Sequence, residues 1–115
     1  MKITSTRVFA SVALLIAALS SSVSANAMDA EAAQQLARQN NCFKCHSVDK
    51  TKDGPSYKDV AAKYKGKADA EQRLITHITS GEKAKFPDGH EEEHKIIKTK
   101  DHAEQLNLVQ WILSR

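Results

Sequence analysis

The run Cys42-Phe43-Lys44-Cys45-His46 concentrates the chemistry of this chain. Two thiols separated by two residues and followed at once by an imidazole form the C-x-x-C-H pattern, the signature of a covalently attached haem. Each thiol adds across a vinyl group and becomes a thioether, and His46 offers its ring nitrogen to the iron. The two intervening residues let one helical turn hold both sulfurs along one edge of a flat ring, with the next side chain beneath the metal. Two rival uses of C-x-x-C fit less well. A thioredoxin-like dithiol needs a βαβ setting, and a zinc site needs a second pair of ligands. Cys42 and Cys45 are the only cysteines, and no strand-rich pattern surrounds them. The motif predicts one haem c and leaves no thiol for a disulfide.

The segments that must position this motif begin with a leader. Lys2 and Arg7 precede a mostly apolar run from Val8 to Leu19, and Ala25-Asn26-Ala27 matches a small-residue cleavage site. The apolar run is shorter than the roughly 20 residues a membrane span requires. Residues 1–27 read as a cleaved signal peptide, which predicts a periplasmic protein without stable membrane insertion. Residues 28–115 form one small domain of roughly 90 residues, a size that commonly needs a cofactor or cross-link to complete its core. The whole chain holds 17 basic and 14 acidic residues. Two of the basic ones lie in the leader, so the domain is close to neutral and nucleic acid is not an expected partner.

Within the domain the pattern is all-α. Asp29 is placed to cap a helix reaching about Asn40, with Ala30, Ala33, Leu36 and Ala37 on one side. Ser56 is placed to cap a second helix that Gly66 stops, and Asp69 with Gln72 resembles a capping box for a third, ending near Gly81. Pro87-Asp88-Gly89 signals a turn, and Glu91 to Glu93 is expected as a short exposed helical turn. Asp101 and Glu104 open a last helix with a broad apolar stripe. Its Leu106, Val109 and Leu113 are expected against the Ala33, Leu36 and Ala37 side of the first helix.

With these pieces in place, the domain resembles a small monohaem class I cytochrome c of the bacterial periplasmic type. The resemblance rests on Cys42 to His46, on the stretch Asp53-Gly54-Pro55-Ser56-Tyr57-Lys58-Asp59-Val60-Ala61-Ala62-Lys63-Tyr64, and on Leu108-Val109-Gln110-Trp111-Ile112-Leu113. It implies crossed N- and C-terminal helices around one covalent haem, with Cys42, Cys45, Pro55, Tyr57 and Tyr64 as cofactor-binding residues. The Pro55 carbonyl would accept from the proximal imidazole of His46 and fix its tautomer. The family usually closes the sixth iron position with a methionine before the last helix, yet the only methionines here are Met1 and Met28.

Four other histidines are candidates for that position. Counted back from Trp111, His94 stands where the family's methionine usually does, and it is the leading candidate. His90 is the runner-up. His77 reads as a partly buried, hydrogen-bonded core residue and His102 as a solvated helix start. Lys95 or Lys98 would have to be desolvated and deprotonated to bind iron. His90 to His94 also matches the H-E-x-x-H zinc-protease pattern, but that pattern needs a long helix and a further ligand. Lys44, Lys50, Lys52, Lys58, Lys63, Lys65 and Lys67 read first as solvated surface, and alternatively as a positive rim that steers an acidic redox partner.

The expected function is periplasmic electron transfer rather than enzymatic turnover. One bis-histidine haem would carry one electron between larger periplasmic or membrane redox proteins, multihaem cytochromes among them. A weaker resemblance is to shuttle cytochromes of iron-oxidising bacteria. The alternative from a different class is a ligand-binding or sensing haem protein, or a weak peroxidase, with an open or displaceable sixth position.

Overall fold

Capping side chains fix where the helices begin. In the computed structural model, which describes residues 27–115, α1 runs Ala30–Gln39, α2 Tyr57–Tyr64, α3 Ala70–Thr79 and α4 His102–Leu113. The expected signal peptide therefore lies, save its last residue, outside the described residues. Asp29 accepts from the Ala32 N–H at 3.0 Å, Ser56 from Asp59 at 3.1 Å and Asp101 from Ala103 at 2.8 Å. Each such cap contributes about 1 kcal/mol. Gly66, at φ +75°, turns the chain out of α2. The capping box expected at α3 does not form. Asp69 sits at φ −95°, ψ 6° and makes no side-chain cap bond, because its backbone lacks the extended geometry that aims a capping oxygen at the helix.

The first and last helices pack together, as the pattern predicts. Ala33 and Ala37 are fully buried and share one cluster with Leu108, Val109, Trp111 and Ile112. One asparagine stitches this pairing and a second ties α1 to the segment before α4. Asn107 accepts from the Asp29 N–H at 2.8 Å and donates to the Asp29 carbonyl at 2.9 Å. The buried Asn40 donates to the Leu36 carbonyl and accepts from the Lys98 N–H, both at 2.9 Å. Trp111 meets Phe43 and Tyr57 edge-on, with centroids 6.4 and 5.5 Å away, which joins α4 to the haem motif.

Leu106 and Leu113 pack against this core, as expected, but only half-buried at its margin, so Leu106 is not the buried core residue its place in the stripe suggested. The stripe on α4 is broad, and Leu108 with Val109 takes the deepest line. Leu108→Ala should cost about 2–5 kcal/mol, the range for buried leucine truncations. Leu106→Ala should cost about 1 kcal/mol, near the average for point substitutions. Denaturant titration of the two variants checks this, and equal losses would contradict the burial order.

The segment between α3 and α4 is a hairpin, not a helical turn. Strand β1 (Lys83–Lys85) pairs antiparallel with β2 (Glu91–Glu93) in the register Lys83↔Glu93, Ala84↔Glu92, Lys85↔Glu91. Opposite charges thus face each other at both ends of the ladder, which favours the strand pairing. A helical turn would have left three adjacent glutamates without those cations. The Pro87-Asp88-Gly89 turn closes the hairpin, with Gly89 at φ +92° and the Phe86 N–H bonded to the His90 carbonyl at 2.9 Å.

Candidate haem site

The proximal wall is built by one tight turn. Asn41, in the left-handed region at φ 57°, starts a 3-10 turn over Cys42–Lys44. Asparagine tolerates that conformation better than most residues. The N–H groups of Cys45 and His46 both reach the Cys42 carbonyl, at 3.2 and 2.9 Å. This winding puts Cys42, Cys45 and His46 together on one cavity wall.

The following loop folds back beneath the imidazole. The Gly54 N–H donates to the Cys45 carbonyl at 2.8 Å, and the Tyr57 N–H to the Ser47 carbonyl at 2.9 Å. Pro55 is thereby delivered to His46, whose Nδ1 lies 2.8 Å from the Pro55 carbonyl. A carbonyl only accepts, so Nδ1 carries the proton and Nε2 keeps its lone pair for a metal. Tyr57 is buried and stacks on the same ring, with centroids 5.3 Å apart at 21°. Gly54 lies so close that a Cβ there would stand 2.5 Å from His46 Cε1. Burial holds the His46 imidazole below its ordinary pKa, with the Pro55 bond acting in the opposite sense.

The distal wall comes from α3, the hairpin and the irregular segment leading to α4. His94 follows β2 directly. Its N–H donates to the Glu82 carbonyl at 2.9 Å, and its Nδ1 donates to the Lys95 carbonyl at 3.0 Å, again leaving Nε2 unprotonated. The His46 and His94 rings stand across from each other with centroids 6.2 Å apart and planes tilted by 50°. Burial, with smaller contributions from His77 and His46, pushes the His94 pKa down to about 4.

The other histidines are placed differently. His90 sits exposed at the hairpin tip, outside the cavity lining. Its Nδ1 pairs with Asp88 and its Nε2 with Glu92 at 3.2 Å, and Asp88 first among these holds its pKa above the ordinary value. Because His90 to His94 brackets an extended strand, those two residues are roughly 13 Å apart along the chain, beyond reach of a shared metal. The zinc-protease helix is absent. His102 is exposed at the start of α4, as expected.

His77 proves partly buried and hydrogen-bonded, as expected, but it is also part of this site. It lines the cavity and its ring lies 4.1 Å from that of His94, centroid to centroid. Its Nδ1 donates to Glu82 Oε1 at 2.5 Å, and Arg73 donates to the same oxygen at 2.7 Å. Those two bonds, the His77 one foremost, keep the Glu82 carboxyl below its ordinary range. Neither Glu82 nor Arg73 stood out in the sequence. The available signal was the four-residue spacing of Arg73 and His77, which puts both on one face of α3.

The cavity between these walls has a volume of about 690 Å³, within the 300–1,000 Å³ typical of ligand sites. Leu74, Ile78, Ile97, Leu108, Val109 and Ile112 supply an apolar lining, with Tyr57 and Tyr64 beside them. A haem fits this donor set: two thiols and an imidazole on one wall, a second imidazole with a free nitrogen opposite, and hydrocarbon around a flat apolar ring. Haem bound through thioethers should survive acid and organic extraction. A mass lower than that of residues 28–115 plus one haem would contradict that.

Comparison with known proteins agrees. The family model described as Cytochrome c matches residues 30–115. The crystal structure of Class 1 cytochrome MtoD from Sideroxydans lithotrophicus ES-1 is 71% identical, with a TM-score of 0.74 over 76% of this chain and 97% of that one. Wild-type cytochrome c552 of Nitrosomonas europaea is 33% identical, with a TM-score of 0.56 over 70% of this chain and 96% of that one. Cytochrome c-552 of Hydrogenobacter thermophilus is 37% identical over 81 residues, 70% of this chain and 79% of that protein. The match to cytochrome c-551 of Allochromatium vinosum is shorter, 50% identical over 46 residues, so that the chain spans about half of that relative (49%) and 40% of itself. With C-x-x-C-H on one cavity wall and crossed terminal helices behind it, the chain belongs to the cytochrome c family as a small class I member that carries one covalently attached haem c.

Proposed function

We propose that this protein is a periplasmic one-electron carrier whose haem iron is held between His46 and His94. The observation that carries the reading is the pairing of these rings across the cavity. Two imidazoles that each offered Nε2 to one metal between them would stand with their centroids a few ångströms on either side of it. The 6.2 Å separation fits, and each ring has its Nδ1 tied to a backbone carbonyl with Nε2 free. Two strong ligands keep iron low-spin in both oxidation states, so the electron moves with little rearrangement. The protein supplies ligands, a dry pocket and a docking surface. Imidazole in place of the usual thioether favours ferric iron and sets the potential below that of methionine-ligated relatives.

Spectra of the two oxidation states test the reading. The expected result is low-spin ferric and ferrous iron and no carbon monoxide binding. A second reading, a haem sensor or weak peroxidase with a displaceable sixth ligand, is favoured by the support beneath His94. That support is a two-stranded hairpin of three residues per strand, and isolated hairpins are marginally stable. Prompt carbon monoxide binding by the native protein would select it.

Acid provides a further check. The His94 pKa in the fold, about 4, lies below its unfolded value of 6.5, so unfolded chains take up protons first as pH falls. The contribution to stability is complete above about pH 6.5 and is lost as pH drops through the folded value, which iron binding lowers further. The low-spin spectrum should persist at pH 5 and give way only below about pH 4. Loss near 6.5 would mean a solvated, weakly held imidazole.

Periplasmic location is supported by the leader pattern at Lys2 to Ala27 and by the bacterial cytochrome relatives. A mature N-terminus at Met28 by mass spectrometry is expected. No helix among the described residues is long and apolar enough to cross a membrane. The partners that suit a small carrier are larger redox proteins, including multihaem cytochromes. The lysines around the haem motif, of which Lys58 pairs with Asp49 at 2.7 Å, suit an acidic docking face.

A further inference from the structure

The Arg73–Glu82–His77 array meets the distal residue both at its backbone and at its ring. Three features meet at Glu82. Its backbone carbonyl accepts from the His94 N–H at 2.9 Å, which fixes the main chain of the distal residue. Its Oε1 accepts from His77 Nδ1 at 2.5 Å and from Arg73 at 2.7 Å. The His77 ring so held lies against the His94 ring, at 4.1 Å and a 42° tilt. One residue therefore holds His94 from two sides, by its backbone directly and by its carboxylate through a neighbouring ring.

The sequence is arranged for this. Arg73 and His77 are one helical turn apart on α3, so both reach Glu82 as the chain leaves that helix. Gly81, at φ +72°, makes the turn between them, and a Cβ there would press on Ile96 Cδ1 at 3.3 Å. Ile96 lies two residues beyond His94, so the same close approach keeps the distal segment against the end of α3. Apart from the half-buried Ala84, the hairpin that leads into His94 presents exposed, charged residues. What restrains its ring is this array and the bond from its own Nδ1 to Lys95.

We infer that His77, anchored by Glu82 and Arg73, is a positioning residue that fixes the plane of the His94 imidazole and keeps the sixth iron position closed. This rests on the proposed ligation by His94. The array supplies what the hairpin lacks: a side-chain clamp from a packed helix onto a ligand carried by a marginal element. Imidazoles that bind metals depend on such supporting groups, whose loss typically weakens binding on the order of 10–100-fold. The array does not take part in electron transfer itself. It sets ligand orientation and the rate at which the ligand lets go.

The test uses the purified haem-loaded protein and two readouts that a merely structural role would leave unmoved. These are the ferric low-spin electron paramagnetic resonance spectrum, which reports the relative orientation of the two imidazole planes, and the rate of cyanide binding to ferric iron. His77→Ala should shift the resonance and speed cyanide binding on the order of 10–100-fold. Glu82→Ala keeps the backbone bond to His94 and removes a half-exposed carboxylate, so it serves if the first variant folds poorly. It should move both readouts in the same direction by a smaller factor. Glu82→Gln retains an acceptor for His77 and should restore most of the parent behaviour. A parent spectrum that is not that of a bis-imidazole iron overturns the ligand assignment, and this inference with it. A bis-imidazole parent whose His77→Ala and Glu82→Ala variants keep its resonance and cyanide rate overturns the positioning role alone.

Discussion

Replacing His94 with alanine is expected to convert the iron from low-spin to high-spin and to let carbon monoxide bind on mixing. Deleting this ring removes an imidazole that stands across the cavity from His46 with ring centroids 6.2 Å apart. The lost group also carries its own orienting bond to the Lys95 carbonyl, and the neighbouring His77 is held by Glu82. The effect is qualitative, from no measurable binding to rapid binding. His94→Met should close the site again at a higher potential, because thioether ligation favours the reduced iron. Each other result reassigns the ligand. A low-spin His94→Ala spectrum that becomes high-spin only when His77→Ala is added would give the position to His77. Dependence on His90 instead would require the hairpin tip to abandon its Asp88 and Glu92 contacts. Indifference to all three would place the ligand outside this segment.

Local patterns carried the parts of this protein that were legible in advance. Cys42, Cys45 and His46 act through adjacency, which a sequence displays directly. The caps at Asp29, Ser56 and Asp101 are likewise decided within a few residues of themselves. The errors fall where the deciding partner is distant or competes. Glu91 to Glu93 looks like an exposed helical turn until Lys83 and Lys85 are brought opposite, which makes a strand of it. The depth of Leu106 depends on which line of a wide stripe meets α1, and α4 offers several. Asp69 has the right side chain for a cap but the wrong backbone angles. The array at Glu82 joins α3 to the hairpin and to His94, and only the fold reveals it.

Gly54 marks the place where the smallest change should do the most harm on the proximal side. A methyl group there would stand 2.5 Å from His46 Cε1, 2.8 Å from Nδ1 and 3.0 Å from Nε2. Ordinary contact is about 3.5–4.0 Å, so ring or backbone must move by roughly 1 Å. Neither is free to do so. The Gly54 N–H is bonded to the Cys45 carbonyl at 2.8 Å, and its carbonyl accepts from the Lys52 N–H at 3.0 Å. The ring is tied to Pro55, one residue further on, and is covered by Tyr57. Overpacking in such a site costs about 1–3 kcal/mol, and Gly54→Ala should lie at the upper end. For a domain this small, that is a fall of roughly 10–20 °C in Tm. The Soret band should shift as well, because the displaced imidazole loses its carbonyl partner. Gly66→Ala is the control. It carries a positive φ but has nothing within 4 Å of the added carbon, so it pays only the left-handed backbone penalty of about 1–2 kcal/mol and leaves the haem spectrum alone. Equal spectra and equal melting for Gly54→Ala and the parent would mean that the loop yields freely, and that contact between Gly54 and His46 does not set the proximal geometry.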